Sequence, residues 1–371
     1  MPDKVSSEPG RRVALVLSGG VALGAYQAGA YEALCDGRGL DPGWIAGASV
    51  GSVNAAIIAG NPPERRVERL RQFWTGASAS LLFLPLWGSL EHGPLREGYN
   101  MANAVQSLVL GRPGVFRPRL IPSAGDRPGL YDLAPLAERL EELIDFRLLN
   151  DGAIRLSVAT TDIVSGERVV FDTRRSTRLR PEHVLASCAL LPGFSPIEVD
   201  GRLLGDGGFS GNTPVDLVLD EPGGDDLLCF VVDLFAREGS RPRTVGAAAN
   251  RALDLAFGNQ TWLLLDGRRR ERQLSAAARR LAEQLPPELR EKPEFSQFLE
   301  SLPAGAATVL YMAYRAATDE AGLIKMFDFS NATVEERWKA GGAHMQAALR
   351  TLGTLPPQAD QAGLSIHEVP L

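Results

Sequence analysis

Apolar positions in this chain fall into short unbroken runs, and most of the runs end at glycine or serine. Residues 13–17 (VALVL) are apolar throughout, which predicts a strand buried on both faces of a parallel sheet. Ser18-Gly19-Gly20 interrupts the run, and residues 22–34 have a helix-like composition. The pattern then repeats, with a short strand at 44–47 and a helix over 52–59. Strand, glycine-rich turn and helix, twice in succession, predict an α/β fold on a parallel sheet.

Further along, residues 61–145 are mostly helical with Pro and Gly interruptions, and 111–129 form a long surface loop. Residues 154–160 and 168–172 are strands joined at Ser165-Gly166, a hairpin signal. A short helix covers 181–188, and Leu203-Leu204 leads into Gly205-Asp206-Gly207-Gly208. Residues 227–234 (LLCFVVDL) form another buried strand and 307–312 a last one, while 241–290 are helical and Arg-rich. Within that helix Arg268, Arg269, Arg270, Arg272, Arg279 and Arg280 alternate with Leu274, Ala278, Leu281 and Leu285. The spacing predicts an amphipathic helix with the arginines on a solvated face. The first 11 residues are polar and expected to be disordered, and the last 17 loose. Residues 81–87 (LLFLPLW) are either covered by the rest of the fold or form a lid facing lipid.

Composition narrows the class. Hydrophobic residues make up 44% of the 371 and charged residues 23%, ordinary for a globular protein. No stretch reaches the ~20 apolar residues that a membrane-spanning helix needs. A net charge of −6 argues against a nucleic-acid partner, which requires concentrated Lys and Arg. Cys35, Cys188 and Cys229 sit among apolar neighbours and are expected to be buried thiols. They form no disulfide framework, and with His92, His183, His344 and His367 they supply no metal-ligand spacing, so neither a metal nor an organic cofactor is expected. Arg11-Arg12 ahead of the apolar run to Ala30 imitates an export signal, but the strand–turn–helix order of those residues favours a structural role. The expected location is cytoplasmic, with contact at a membrane periphery. The oligomeric state leaves no signal.

Three motifs carry chemistry. In Gly47-Ala48-Ser49-Val50-Gly51 the serine lies between a strand and a helix, the G-x-S-x-G arrangement that strains the backbone and projects the hydroxyl from the sheet end. In Ser18-Gly19-Gly20-Val21-Ala22-Leu23-Gly24, backbone N–H groups at a helix start favour negative charge and suit an oxyanion. A dinucleotide fingerprint fails there, because Val21 stands where the second glycine must let a pyrophosphate approach. Asp206-Gly207-Gly208 is a tight turn at a strand end. A nucleophilic serine needs a base within reach, and none of the histidines has a suitable local context, which leaves a carboxylate acting directly on the serine.

The three motifs, in this order, resemble the patatin-like phospholipase family, over roughly residues 12–235. The resemblance implies a three-layer α/β/α fold on a mainly parallel sheet and a Ser–Asp dyad, with Ser49 as nucleophile and Asp206 as base. It places the oxyanion loop at Gly19, Gly20, Val21 and Gly24, the nucleophile turn at Gly47 and Gly51, and the base turn at Gly207 and Gly208. Residues 159–162 through Gly166, and Ala186-Ser187-Cys188 to Pro192, Phe194 and Pro196, match as well. Asp328-Phe329-Ser330 to Arg337-Trp338, with Gly341-Gly342, resembles an extension found on bacterial members. The implied organisation is a disordered 1–11, a catalytic domain at 12–235 and a mostly helical extension at 236–371 packed on it. The implied activity is hydrolysis of fatty acyl esters through an acyl-enzyme, with a lipid or acyl ester as partner.

Two residues depart from the family pattern: Val21 where it has glycine, and Leu23 where a basic residue is frequent. Valine resists positive φ, so Val21 is expected at negative φ with its side chain toward the sheet, while Gly19 and Gly20 absorb the unusual dihedrals. A loop pushed away by Val21 would instead give a catalytically weak lipid-binding or scaffold protein of the same fold. A histidine-based hydrolase would require His183 or His344 beside Ser49.

Overall fold

The computed structural model describes residues 11–37, 40–78, 93–120, 128–175, 178–221, 226–302, 305–315, 322–355 and 363–370. Its strands are β1 (Arg11–Leu17), β2 (Trp44–Ala48), β3 (Arg117–Pro118), β4 (Tyr131–Asp132), β5 (Arg155–Asp162), β6 (Arg168–Asp172), β7 (Ile197–Val199), β8 (Arg202–Asp206), β9 (Asp226–Asp233), β10 (Ala307–Ala313) and β11 (Leu364–Glu368). Among the described residues, nine of these form one sheet in the order β11-β10-β9-β1-β2-β5-β8-β7, with β6 paired to β5. The six strands from β11 to β5 run parallel. Only β6, β7 and β8 introduce antiparallel pairs. The strands β1 and β2 are adjacent and in register from Ala14 opposite Trp44 to Leu17 opposite Gly47, as their twin strand–turn–helix units require.

Strand alternation divides the interior in two. In β1, Leu15 and Leu17 join one apolar cluster while Ala14 and Val16 join another, because successive side chains leave opposite faces. The first face is covered by α1 (Ala25–Gly37), α2 (Val50–Ala59), α3 (Pro63–Ser78) and the later helix Asn331–Leu352. The second is covered by Val215–Leu219 and by the 39-residue helix Val245–Glu283. The result is three layers, helix on sheet on helix.

Three expectations are corrected outside the site. The C-terminal stretch is not wholly loose: Leu364–Glu368 adds a parallel edge strand to β10, where backbone pairing outweighs the Pro and Gly content around it. The arginine-rich helix departs from its pattern at two arginines and two leucines, while Arg270 and Arg280 are exposed as expected. Leu274 is 72% and Leu281 63% exposed, whereas Arg272 is buried and donates to the carbonyls of Gly305 and Leu219. Arg279 likewise donates to Leu299 and Leu302. The guanidinium groups satisfy carbonyls that the chain turns leave unpaired, a demand stronger than burying two leucines. Of the three thiols, Cys35 is exposed at the end of α1 rather than buried. Residues 1–10, the apolar 81–87 and His92 lie outside the described residues.

Among the described residues no helix is long and apolar enough to cross a membrane. Nor does any group of three His, Cys, Asp or Glu among them have metal-binding proximity.

Candidate active site

The strand–turn–helix units put their turns at the same edge of the sheet, where α/β sites are built. Ser49 follows β2 directly and has φ 53°, ψ −129°. That backbone is strained for a residue with a side chain, and it is the geometry expected of G-x-S-x-G. The turn is possible because Gly51 passes against β1: a Cβ there would lie 2.2 Å from the Leu17 carbonyl oxygen. Gly47 is equally close to the backbone of Gly51 and Ser52. The Ser49 N–H donates to Ser187 Oγ at 2.8 Å, and Ser187 Oγ donates to the Ala159 carbonyl at 2.6 Å. Ser52 Oγ caps the Ser49 carbonyl at 2.6 Å.

Register brings Asp206 alongside. Ala48 pairs with Ala159 of β5, and the next β5 residue, Thr160, pairs with Asp206 of β8. One strand therefore separates serine and aspartate, and the two chains meet over its end. Gly207 packs on that strand, where a Cβ would lie 2.4 Å from the Ala159 carbonyl oxygen. Gly208 donates its N–H to Asp206 Oδ1 at 2.7 Å. Asp206 is buried, which pushes its carboxyl up to about 6. The Ser49 hydroxyl is the one side-chain donor opposing that shift, with the Gly208 N–H beside it. Asp206 Oδ2 is buried with no hydrogen-bond partner among the described residues.

The glycine-rich turn lies across from them. Gly19 abuts the serine, since a Cβ on it would lie 2.8 Å from Ser49 Cβ. Gly20 caps a short 3-10 helix, Val21–Gly24, whose first N–H groups have no acceptor inside it. Gly24 packs against Val50 and Trp74. The expected conformation of Val21 is corrected: φ is 51°, not negative, and the side chain lines the cavity beside Ser49 instead of turning to the sheet. Gly20 has φ 164° and ψ 18°, and the left-handed φ falls on the β-branched Val21.

A polar network missed by motif reasoning supports this turn. Asn212 brackets Gly19, accepting its N–H on the backbone carbonyl and donating from Nδ2 to its carbonyl, each at 3.2 Å. Next to it, Thr213 donates to the buried Asp233, which also accepts from Thr261 and Tyr311. Gln27 Nε2 holds the Ser18 carbonyl at 2.8 Å, and Asn54 Nδ2 reaches Gln27 Oε1 at 3.0 Å. Trp74 Nε1 closes the chain on Asn54 Oδ1 at 3.1 Å. Each is an isolated polar residue in its own segment, so no local pattern marks it.

The three described histidines are placed elsewhere. His183 accepts the Arg180 N–H at 2.9 Å and packs on Phe171. His344 pairs with the Tyr26 hydroxyl and with the Val369 carbonyl. His367 lies on the edge strand β11.

Ser49 opens into a cavity of about 430 Å³, its mouth included. The walls are almost wholly apolar, among them Val50, Val53, Phe116, Leu136 and Phe194. Such a space accepts hydrocarbon and offers polar groups only at the serine end.

The family described as patatin-like phospholipase matches residues 15–219, and a second, described as patatin phospholipase, matches 255–359. No curated protein matches. Among solved structures, VipD from Legionella pneumophila is similar at 16% identity, covering 92% of this chain and 70% of that one, with a TM-score of 0.37. Since the first match alone spans more than half of its residues, the chain belongs to the patatin-like phospholipase family.

Proposed function

We propose that this chain is a serine lipid acyl hydrolase working through a Ser49–Asp206 dyad. The observation that supports the reading is the strained Ser49 beside the turn of a buried carboxyl, Asp206, whose Oδ2 has no hydrogen-bond partner among the described residues. Asp206 takes the Ser49 proton as Oγ attacks the ester carbonyl, giving a tetrahedral oxyanion. The free N–H groups at the start of the 3-10 turn, around residues 20–22, hold that oxyanion. Collapse of the intermediate expels the alcohol, which takes the proton from Asp206, and leaves Ser49 acylated. Water, deprotonated by Asp206, attacks the acyl-enzyme. The fatty acid leaves, and the proton returns to Ser49 Oγ. The apolar cavity holds the acyl chain, and no metal or cofactor enters these steps. Residues 12–235 form the catalytic part, 236–371 an extension packed on it, and the protein acts in the cytoplasm or at a membrane surface.

The test is labelling by a fluorophosphonate probe together with hydrolysis of acyl esters and phospholipids. The wild type should label and turn over, and Ser49→Ala and Asp206→Asn should do neither. Hydrolysis that survives Ser49→Ala overturns the dyad. The second reading, a lipid-binding protein of weak activity, draws on Val21, whose side chain intrudes where the family has glycine. Fatty-acid binding without labelling would favour it.

A further inference from the structure

We propose that the C-terminal extension sets which acyl chains the site accepts, with Phe329 as the residue that limits them. The inference rests on the cavity being the acyl site. Among the described lining residues, Phe329 is the only one from beyond residue 219, where the first family match ends. The segment matched by the second family thus completes the cavity of the first.

Phe329 is placed as a rigid wall. Its ring is buried, stacked on Trp74 at 6.5 Å between centroids and tilted against Phe116 at 6.4 Å. The Arg112 guanidinium lies 5.7 Å over its face. The backbone on either side is pinned. Arg337, itself buried, donates to the carbonyls of Asp328 and Lys325, each at 3.0 Å. Lys325 is buried and paired with Asp254 on the helix Val245–Glu283 at 3.0 Å. Asp328 Oδ1 accepts the Ser330 N–H at 2.9 Å. With its backbone pinned and its ring packed among Trp74, Phe116 and the Arg112 guanidinium, Phe329 swings aside for a longer chain only by losing those ring contacts. An aliphatic tail ending against it meets a fixed surface, and hydrocarbon beyond that length is excluded. The preceding turn, Gly322–Phe327, also sets Phe327 against Phe116, itself a lining residue, at 6.1 Å.

The experiment measures kcat/KM for p-nitrophenyl esters graded from butyrate to palmitate, with wild type, Phe329→Ala, Phe329→Leu and Phe329→Trp in the full chain. Shortening the side chain should move the optimum to longer esters and raise the long-to-short ratio on the order of tenfold. Phe329→Trp should move it the other way. Profiles parallel to wild type in the folded variants overturn the proposal, and Phe329→Leu serves if the alanine variant does not fold. Ser49→Ala separates the two readings. If wild type hydrolyses no better than Ser49→Ala, the dyad fails, and chain length is then read by displacement of a fluorescent fatty acid with saturated acids of graded length. A length preference that shifts in Phe329→Ala upholds the proposal, and one that does not ends it.

Discussion

Asn212 grips Gly19 from both sides, its carbonyl taking the Gly19 N–H and its amide taking the Gly19 carbonyl, each at 3.2 Å. The bond pair joins the segment after the Asp206 turn to the loop beside Ser49. In Asn212→Ala the backbone half persists and the side-chain half is lost. Activity should fall on the order of tenfold through misplacement of the loop, with stability down by about 1 kcal/mol. Steady-state kinetics and denaturation of the same variant check both. Undiminished kcat/KM would show that the loop is held without Asn212.

Asp206 gives the site a pH signature. Burial pushes its carboxyl up to about 6, and in the proposed dyad only the ionised form can accept the Ser49 proton. kcat/KM should therefore fall tenfold per unit as pH drops below about 6. A rate that stays flat down to pH 4.5 would sink the assignment.

The same shift has a stability consequence of opposite sense. The folded carboxyl holds its proton more tightly than the unfolded one, whose pKa is ~3.9. Stability is thus lost as pH rises from about 4 through about 6, and the loss persists above that. Asp206→Asn removes it. The variant should melt above wild type at pH 8, by on the order of 1–3 kcal/mol, and converge with it near pH 4, while being inactive throughout. Thermal melts across that range decide it.

Val21 carries left-handed backbone at φ 51°, a conformation that costs a β-branched residue roughly 1–3 kcal/mol. Val21→Gly relieves the strain but adds freedom to the unfolded chain, worth up to ~1 kcal/mol. The variant should be as stable as wild type or about 1 kcal/mol more so. Because the loop already has the curvature that glycine would allow, hydrolysis should rise less than about tenfold. A gain on the order of a hundredfold would mean that the native loop lacks an oxyanion donor.

Gly29 and Gly341 let α1 and the helix Asn331–Leu352 touch backbone to backbone. A Cβ on Gly341 would lie 1.9 Å from the Tyr26 carbonyl oxygen, and one on Gly29 1.9 Å from that of Trp338. Gly341→Ala should cost about 3 kcal/mol or more, read by urea denaturation, and should lower activity because α1 begins at the glycine-rich turn. A loss under 0.5 kcal/mol would show that the helices part easily.

What the sequence determined by itself is local. Residues 13–17 and 44–47 are apolar at every position, and their glycine-rich turns admit little but strand–turn–helix, so the parallel core and the strained Ser49 followed from short-range sterics. The relation of Ser49 to Asp206 was legible only as two motifs in order. Its geometry depends on β5 lying between them, and register across three strands is a property of the sheet. Val21 shows the limit from the other side: intrinsic preference pointed to negative φ, and packing of the loop against Ser49 and Asn212 imposed the opposite. The burial of Arg272, the edge strand Leu364–Glu368 and the placement of Phe329 in the cavity were likewise decided by tertiary structure. Each answers a demand made by distant chain, whether an unpaired carbonyl, an open sheet edge or an unfilled wall, and such demands leave no periodicity in the sequence that meets them.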